Sequence, residues 1–487
     1  MSAARALSRL VARRIPTVNG LWALIAVVVP ITGAFLARMA AIDLAYQIRA
    51  GGIMLDTHRL LDVDTFTFTI LGHPWLNQQW GAEVLLAAIY RSGGWGGIAL
   101  VRGLLLGCTM FFLYRACRAA GGGPRASACL SLAGWLVGIQ LLPELRPQQF
   151  GFLLFAAVQW IVATRRGSPH RLWLVPILVA AWANLHGSFP LALVLLGFAS
   201  LEDRRKDPAG ARRAMMVMGA SLVATLLNPF GVRVWSYVVE LSTNPVVSQR
   251  ISEWQPPSIH TPTGALFFTS LLAATIFLAR SGRSVGLIAL LKLGGFGALG
   301  LLTVRGVAWW GLVAPVVVAG VLPGDGALRP ADRSPLNATI AAALLIATGL
   351  VAPIGRGTDP VTGGPAVLTY APESLVSAAR EVVPTGSHVF VSQLYASWSE
   401  FSAPALAVAV DPRIELFPAS VWADYASVSD GQEGWARILD EWQVNALVLD
   451  PGQSGGLLAV IGDSPEWRRI RADPSGFVYV RSDVIPA

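Results

Sequence analysis

Apolar residues run in long blocks along the first 350 positions, and the breaks between blocks are short and rich in arginine. The first block, Leu21–Ala40, is about the 20 residues that a bilayer requires, and many similar blocks follow. Arginines gather in the N-terminus and in Arg115–Arg125, Arg165–Arg171, Arg204–Arg213, Arg280–Arg283 and Arg329–Arg333. Basic residues mark the cytoplasmic loops of membrane proteins, so two spans must go out and come back between consecutive inner loops. The pattern predicts eleven spans, near 20–41, 95–117, 126–142, 148–164, 171–185, 188–202, 213–227, 263–280, 284–303, 306–322 and 336–353. The N-terminus is then inside and the C-terminus outside.

Two segments need a decision. The first block follows Arg5, Arg9, Arg13 and Arg14, as a cleaved signal peptide does, but it is full length and many spans follow it. It is read as an uncleaved span. Gln79–Tyr90 is apolar but short, and counting it as a span would put Arg115, Arg118 and Arg125 outside. It is read as a helix at the outer surface. Lys292 falls inside the ninth span, where it either snorkels along its stem or faces the bundle interior.

After Pro353 the pattern changes. Gly355–Pro365 (GRGTDPVTGGP) reads as a linker. Glu373–Val382 has a helical period, and HVFVS, ALAVAV, NALVLD and FVYVR read as strands. The expected fold is mostly α: a polytopic membrane helix bundle over 1–354, its first outer loop at 42–94, then a linker at 355–369 and a soluble extracytoplasmic α/β domain over 370–487.

Composition supports the membrane assignment. Of 487 residues, 54% are hydrophobic and only 14% charged, with a mean hydropathy of +0.56. A soluble protein carries about a quarter charged residues. The net charge of +8 reports topology and not a nucleic-acid partner, because the arginines lie in the short loops. No GxGxxG fingerprint or P-loop is present, so nucleotide binding has no support. Cys108, Cys117 and Cys129 have no metal or disulfide spacing and read as small apolar fillers.

The candidate chemistry crowds the predicted outer loops. Asp43 opens the first loop, which also carries Asp64 and Glu83. An ionised carboxylate at a water-accessible membrane boundary suits a general base that takes a proton from a sugar-acceptor hydroxyl. The plain alternative is that Asp43 caps the helix beginning at Leu44 and Asp64 closes a turn. Arg146 in PELRPQQ, His186 in WANLHGSF and Arg305 in TVRGVAWW are outer cations or potential cations suited to a lipid phosphate. Against this stand snorkelling for Arg146 and tight hairpins at His186 and Arg305. Glu253 and Trp254 in ISEWQPP pair a carboxylate with an aromatic face, which suits a sugar or an interfacial anchor. Glu83 reads as a loop-orienting residue. Asp411 and Arg413 in VDPRIELFP end a strand, a place where ligands often bind, and read against that as an ion pair holding a loop.

The first outer loop resembles that of bacterial polytopic glycosyltransferase-like proteins of the GT-C superfamily. The resemblance rests on Asp43, Gly51, Asp64, Phe66–Thr69, Pro74–Trp75 and Trp80. Arg146–Gln148, Asn184–Ser188, Asn228–Gly231, Glu253–Trp254, Arg305 and the trailing DPR segment extend it over most of the chain. It implies a GT-C fold in the bacterial inner membrane, a polyprenyl-phosphate sugar donor, and transfer to an extracytoplasmic acceptor glycan, lipid or protein, with Asp43 as base. Many such enzymes carry two adjacent acidic residues where this chain has Asp43–Leu44. A divalent metal is thus left open and no other cofactor is implied. The rival reading is a non-enzymatic transporter or scaffold for cell-envelope lipids or polymers, with membrane lipids as surroundings in either case.

Overall fold

The computed structural model describes residues 16–282, 285–322 and 333–484. Helices dominate, at 63%. In chain order they are α1 (Val18–Leu36), α2 (Leu44–Thr57), α3 (Trp80–Ala119), α4 (Pro124–Val137), α5 (Pro147–Ala163), α6 (Val175–Leu185), α7 (Pro190–Asp203) and α8 (Pro208–Ala224). There follow α9 (Arg233–Thr243), α10 (Pro245–Arg250), α11 (Pro262–Arg280), α12 (Leu287–Leu302), α13 (Val304–Val321) and α14 (Pro335–Leu350). The C-terminal part alternates α15 (Glu373–Val382), β1 (His388–Val391), α16 (Gln393–Ser402), β2 (Ala407–Val408), α17 (Ala419–Ser429), α18 (Trp435–Glu441), β3 (Val444–Leu449), α19 (Gly455–Ile461), β4 (Trp467–Asp473) and β5 (Gly476–Arg481). Many helices begin at proline, which lacks the N–H that a first helical turn leaves unpaired anyway.

Every predicted apolar block carries a helix. Among the described residues, however, only α1, α3, α11 and α13 are long and apolar enough to cross a bilayer alone, with α5, α12 and α14 apolar but shorter. α6, at 11 residues, rises only about 16 Å. The chain is an integral membrane protein, but its helix lengths do not carry a count of eleven spans. α3 fuses the predicted surface helix and the second span, with a break at Gly94 (φ 56°, ψ −156°), a conformation that a side chain would oppose.

The chain divides into two compact units. One comprises the described residues of Met1–Ala37, Leu100–Val238 and Ser248–Ala352; the other, those of Arg38–Ala99, Val239–Val247 and Pro353–Ala487. The boundary differs from the one drawn on sequence, because the first outer loop belongs with the C-terminal α/β segment.

In the first unit α13 is the buried centre. Phe155 meets Trp309 at 5.1 Å and Phe296 at 5.7 Å, both edge to face. α4 and α13 touch backbone to backbone at Gly134 and Gly311; a Cβ on Gly134 would lie 2.2 Å from the Gly311 carbonyl oxygen. Small residues that let helices approach this closely are the usual substitute for hydrophobic driving force in lipid.

In the second unit the five strands lie in the order β2-β1-β3-β5-β4, parallel across β2, β1 and β3 and antiparallel beyond. The loop after α2 docks on this domain. Thr67 bridges to Val408, the Thr69 hydroxyl donates to the Ala409 carbonyl at 2.6 Å, and Phe68 stacks on His388 at 4.2 Å. The expected linker is also pinned: the Met39 N–H donates to Val367 O at 2.8 Å, and Arg38 pairs with Asp359 at 2.5 Å. Asp359 accepts from the N–H groups of Val361 and Thr362, an Asx turn that explains why Asp and Gly occur there.

α2 crosses the start of α3 at Gly51, where a Cβ would sit 2.0 Å from the Glu83 carbonyl oxygen. Backbone cannot yield as a side-chain tip can. Gly51→Ala is therefore expected to lower stability by about 1–3 kcal/mol, the usual cost of overpacking, read as a lower denaturation midpoint of the purified protein.

Candidate functional site

The first unit gathers three helix N-termini. Arg146 is the N-cap of α5 and His186 with Ser188 precede α7. Arg305 is the second residue of α13, whose N-cap Thr303 accepts from the Gly306 N–H at 3.0 Å. Helix N-termini carry positive partial charge and free N–H groups, so they favour anions. The Val304 N–H donates to the Gln255 carbonyl at 2.9 Å, which fastens the short turn Ser252–Trp254 to the start of α13.

That turn places Glu253 between two arginines. Arg146 Nη1 donates to one carboxylate oxygen at 2.7 Å, and Arg305 Nε to the other at 3.1 Å. The Arg305 guanidinium also lies 5.0 Å from the centre of the Trp254 ring. Burial alone would raise the Glu253 carboxyl, but the two guanidiniums hold it below the usual range. Both guanidiniums face the one Glu253 carboxylate, and all three side chains keep partial exposure (15–26%).

His186 lies in the field of the same Arg305, but it is not a cation. Burial, with Arg305 adding to it, pushes its imidazole down to about 3. Nδ1 accepts the Ser188 N–H at 3.1 Å, which assigns the ring proton to Nε2. The sequence suggested a charge here; the structure provides a neutral ring with one N–H to donate. The Ser188 hydroxyl completes the tie, 2.8 Å from Nδ1 and 3.2 Å from the Trp182 indole nitrogen. Asn184 and Asn228 are spent on backbone carbonyls and turns.

The second unit holds the acidic residues. Asp43 stands at the N-cap position of α2 but makes no side-chain capping bond (φ −98°, ψ −12°). Its Oδ2 accepts from the Gln47 side-chain amide at 3.3 Å, and it is half-buried. Tyr46 neighbours it: burial, then the charges of Glu83 and Asp43, raise this phenol well above its ordinary value. Glu83 accepts from Asn77 Nδ2 at 2.6 Å and so holds the HPWLNQQW stretch in place.

Asp64 has a different environment. It is 1% exposed, and its carboxylate accepts from the N–H groups of Phe66 (3.4 Å) and Thr67 (3.1 Å), the Thr67 hydroxyl (2.8 Å) and Arg413. Arg413 is equally buried and bonds Asp411 through Nε at 2.9 Å and through Nη2. Glu400, fully buried, lies beside Asp411; burial first and that neighbouring charge second raise its carboxyl well above the ordinary value. The loop ion pair expected of Asp411 and Arg413 is present, and it has a partner in the first outer loop, Asp64, and a buried neighbour, Glu400, that carry no signal in the sequence.

Among the described residues no three His, Cys, Asp or Glu side chains gather as metal ligands.

No family model and no curated protein matches the chain. Among solved structures it is similar to the arabinofuranosyltransferase AftD from mycobacteria, with a TM-score of 0.54 and 17% identity. The match covers 96% of this chain and 41% of AftD. The chain has a GT-C fold. It spans about two fifths of the length of AftD, so the likeness concerns the fold and not the whole of that protein. ArnT from Cupriavidus metallidurans, in the apo state, aligns over 95% of this chain and 98% of its own, with a TM-score of 0.44 and 11% identity. The GT-C fold agrees with the helical bundle and the small C-terminal sheet.

Proposed function

We propose that this protein is a membrane glycosyltransferase that moves a sugar from a polyprenyl-phosphate donor to an extracytoplasmic acceptor. The observation that carries this reading is the Arg146–Glu253–Arg305 cluster at the N-termini of α5 and α13. In this reading Glu253 sets the two guanidiniums in fixed planes and Trp254 supports that of Arg305. The guanidiniums and the neutral His186 Nε2–H donate to the donor's phosphate. Asp43 is the base; Asp64, spent on internal bonds, holds the loop.

The acceptor oxygen attacks the anomeric carbon with inversion, and the bond from that carbon to the phosphate oxygen breaks. The phosphate leaves with the bonding pair, where fixed donors offset its growing charge. The acceptor proton goes to the Asp43 carboxylate. A transporter or scaffold would require no turnover, and this decides the test.

Purified protein is to be assayed with a panel of polyprenyl-phosphate sugars and an acceptor glycan or lipid extract. Turnover with at least one donor is expected, falling at least 100-fold in Arg305→Gln, with weaker donor binding. No turnover with any donor, or full turnover in Arg305→Gln, removes this reading.

A further inference from the structure

α5 and α13 each run roughly 25 Å from the cluster at their N-termini to the opposite end of the first unit, close to the thickness of a bilayer's hydrocarbon core. At that far end lies a second set of charges that the proposed transfer does not use. Arg165 donates to Asp203 through Nε (2.6 Å) and Nη2 (2.9 Å), and to Glu202 through Nη2 (2.9 Å). Arg166 donates to the same Asp203 at 2.6 Å, and Lys292 reaches Glu202 at 3.1 Å. Lys292, which sequence left between snorkelling and facing inward, thus faces inward.

Three cations meet two carboxylates, so the set keeps one positive charge in excess. It borders a cavity of about 370 Å³ lined by Arg165, Arg166, Glu202, Lys292 and Gln159, with apolar walls from the ends of α3, α5 and α13. Gln159 is 5% exposed, and its Oε1 has no hydrogen-bond partner. A buried amide oxygen left unpaired inside a protein costs free energy, and a ligand that donates a hydrogen bond recovers it. The cavity therefore calls for an anion that also carries a donor, in surroundings apolar enough for hydrocarbon.

We propose that this cavity binds the headgroup of an anionic phospholipid, a glycerol phosphate ester whose phosphate meets Arg166 and Lys292 and whose hydroxyl donates to Gln159. The lysine and arginine supply the fixed positive charge; Glu202 and Asp203 hold them apart and in place. Arg166 remains 56% exposed at the rim, where an entering phosphate meets it first.

The test uses the full-length protein in phosphatidylcholine nanodiscs doped with phosphatidylglycerol, with retained lipid counted by native mass spectrometry. About one phosphatidylglycerol per chain is expected, falling at least tenfold in Arg166→Gln/Lys292→Gln. Arg166→Gln alone, at a rim position, gives a several-fold loss even if the double variant fails to fold. Gln159→Leu is expected to remove the preference for phosphatidylglycerol over phosphatidic acid. A parallel arm offers soluble glycerol 1-phosphate: if it alone saturates the site, the phosphate-ester assignment stands and the lipid source is replaced by a soluble one. Retention of neither probe, or retention equal in wild type and Arg166→Gln, overturns the proposal.

Discussion

Arg413→Met is expected to open the second unit, at a cost of about 3–5 kcal/mol, the usual loss when one partner of a buried ion pair is removed. Arg413 is 2% exposed, and its guanidinium sits 4.5 Å from the Trp75 ring centre and 4.9 Å from that of Phe66. Without it Asp64 and Asp411 remain buried as uncompensated carboxylates. Lysine would not restore the site, because one ammonium cannot supply the planar fork that reaches both acids. The loss should appear as faster proteolysis of the first outer loop and a lower urea midpoint. Adding Asp64→Asn and Asp411→Asn to Arg413→Met should recover much of the stability, since the trapped charges then disappear. An unchanged midpoint in the single variant would show that this triad does not hold loop and domain together.

The same triad shows what sequence could and could not reveal. Apolar blocks report their own burial, so the helix positions were legible from local composition alone. The strands β1, β3 and β5 were legible for the same reason. β4 was not, because Arg468, Arg469 and Arg471 point outward from an edge strand and mask its alternation, charges that also keep an open edge from pairing with another chain. Only Ala407–Val408 of the ALAVAV run is paired. The glycines and prolines of 355–365 signal turns, and turns occur in pinned loops as readily as in linkers. Contacts across hundreds of positions, such as Asp64 with Arg413, have no local signature. Arg146, Glu253 and Arg305 were each legible as polar residues in outer loops, but not the carboxylate bridge that joins them. The Arg165–Asp203 and Lys292–Glu202 pairs are hidden for a different reason: arginines at the inner ends of spans serve topology whether or not they also line a cavity.

Asp43→Asn is the decisive test of the proposed base. Asparagine keeps an oxygen that can accept from the Gln47 amide, now at 3.3 Å, and the volume is unchanged, so α2 and its packing should survive. What is lost is the carboxylate to which the proposed mechanism gives the acceptor proton. A positioned general base contributes roughly 10²–10⁴ in rate, so turnover should fall at least about 100-fold while donor KM changes little. Arg305→Gln should do the reverse in part, raising donor KM as well as lowering turnover, because in the proposed mechanism Arg305 holds the phosphate in the ground state as well as the transition state. Asp64→Asn serves as the contrast. It leaves Arg413 with one buried partner fewer, so its loss should track the urea midpoint and not the chemical step. Full transfer by Asp43→Asn at wild-type KM would move the base elsewhere in the chain, and would leave Asp43 as the residue that opens α2 and nothing more.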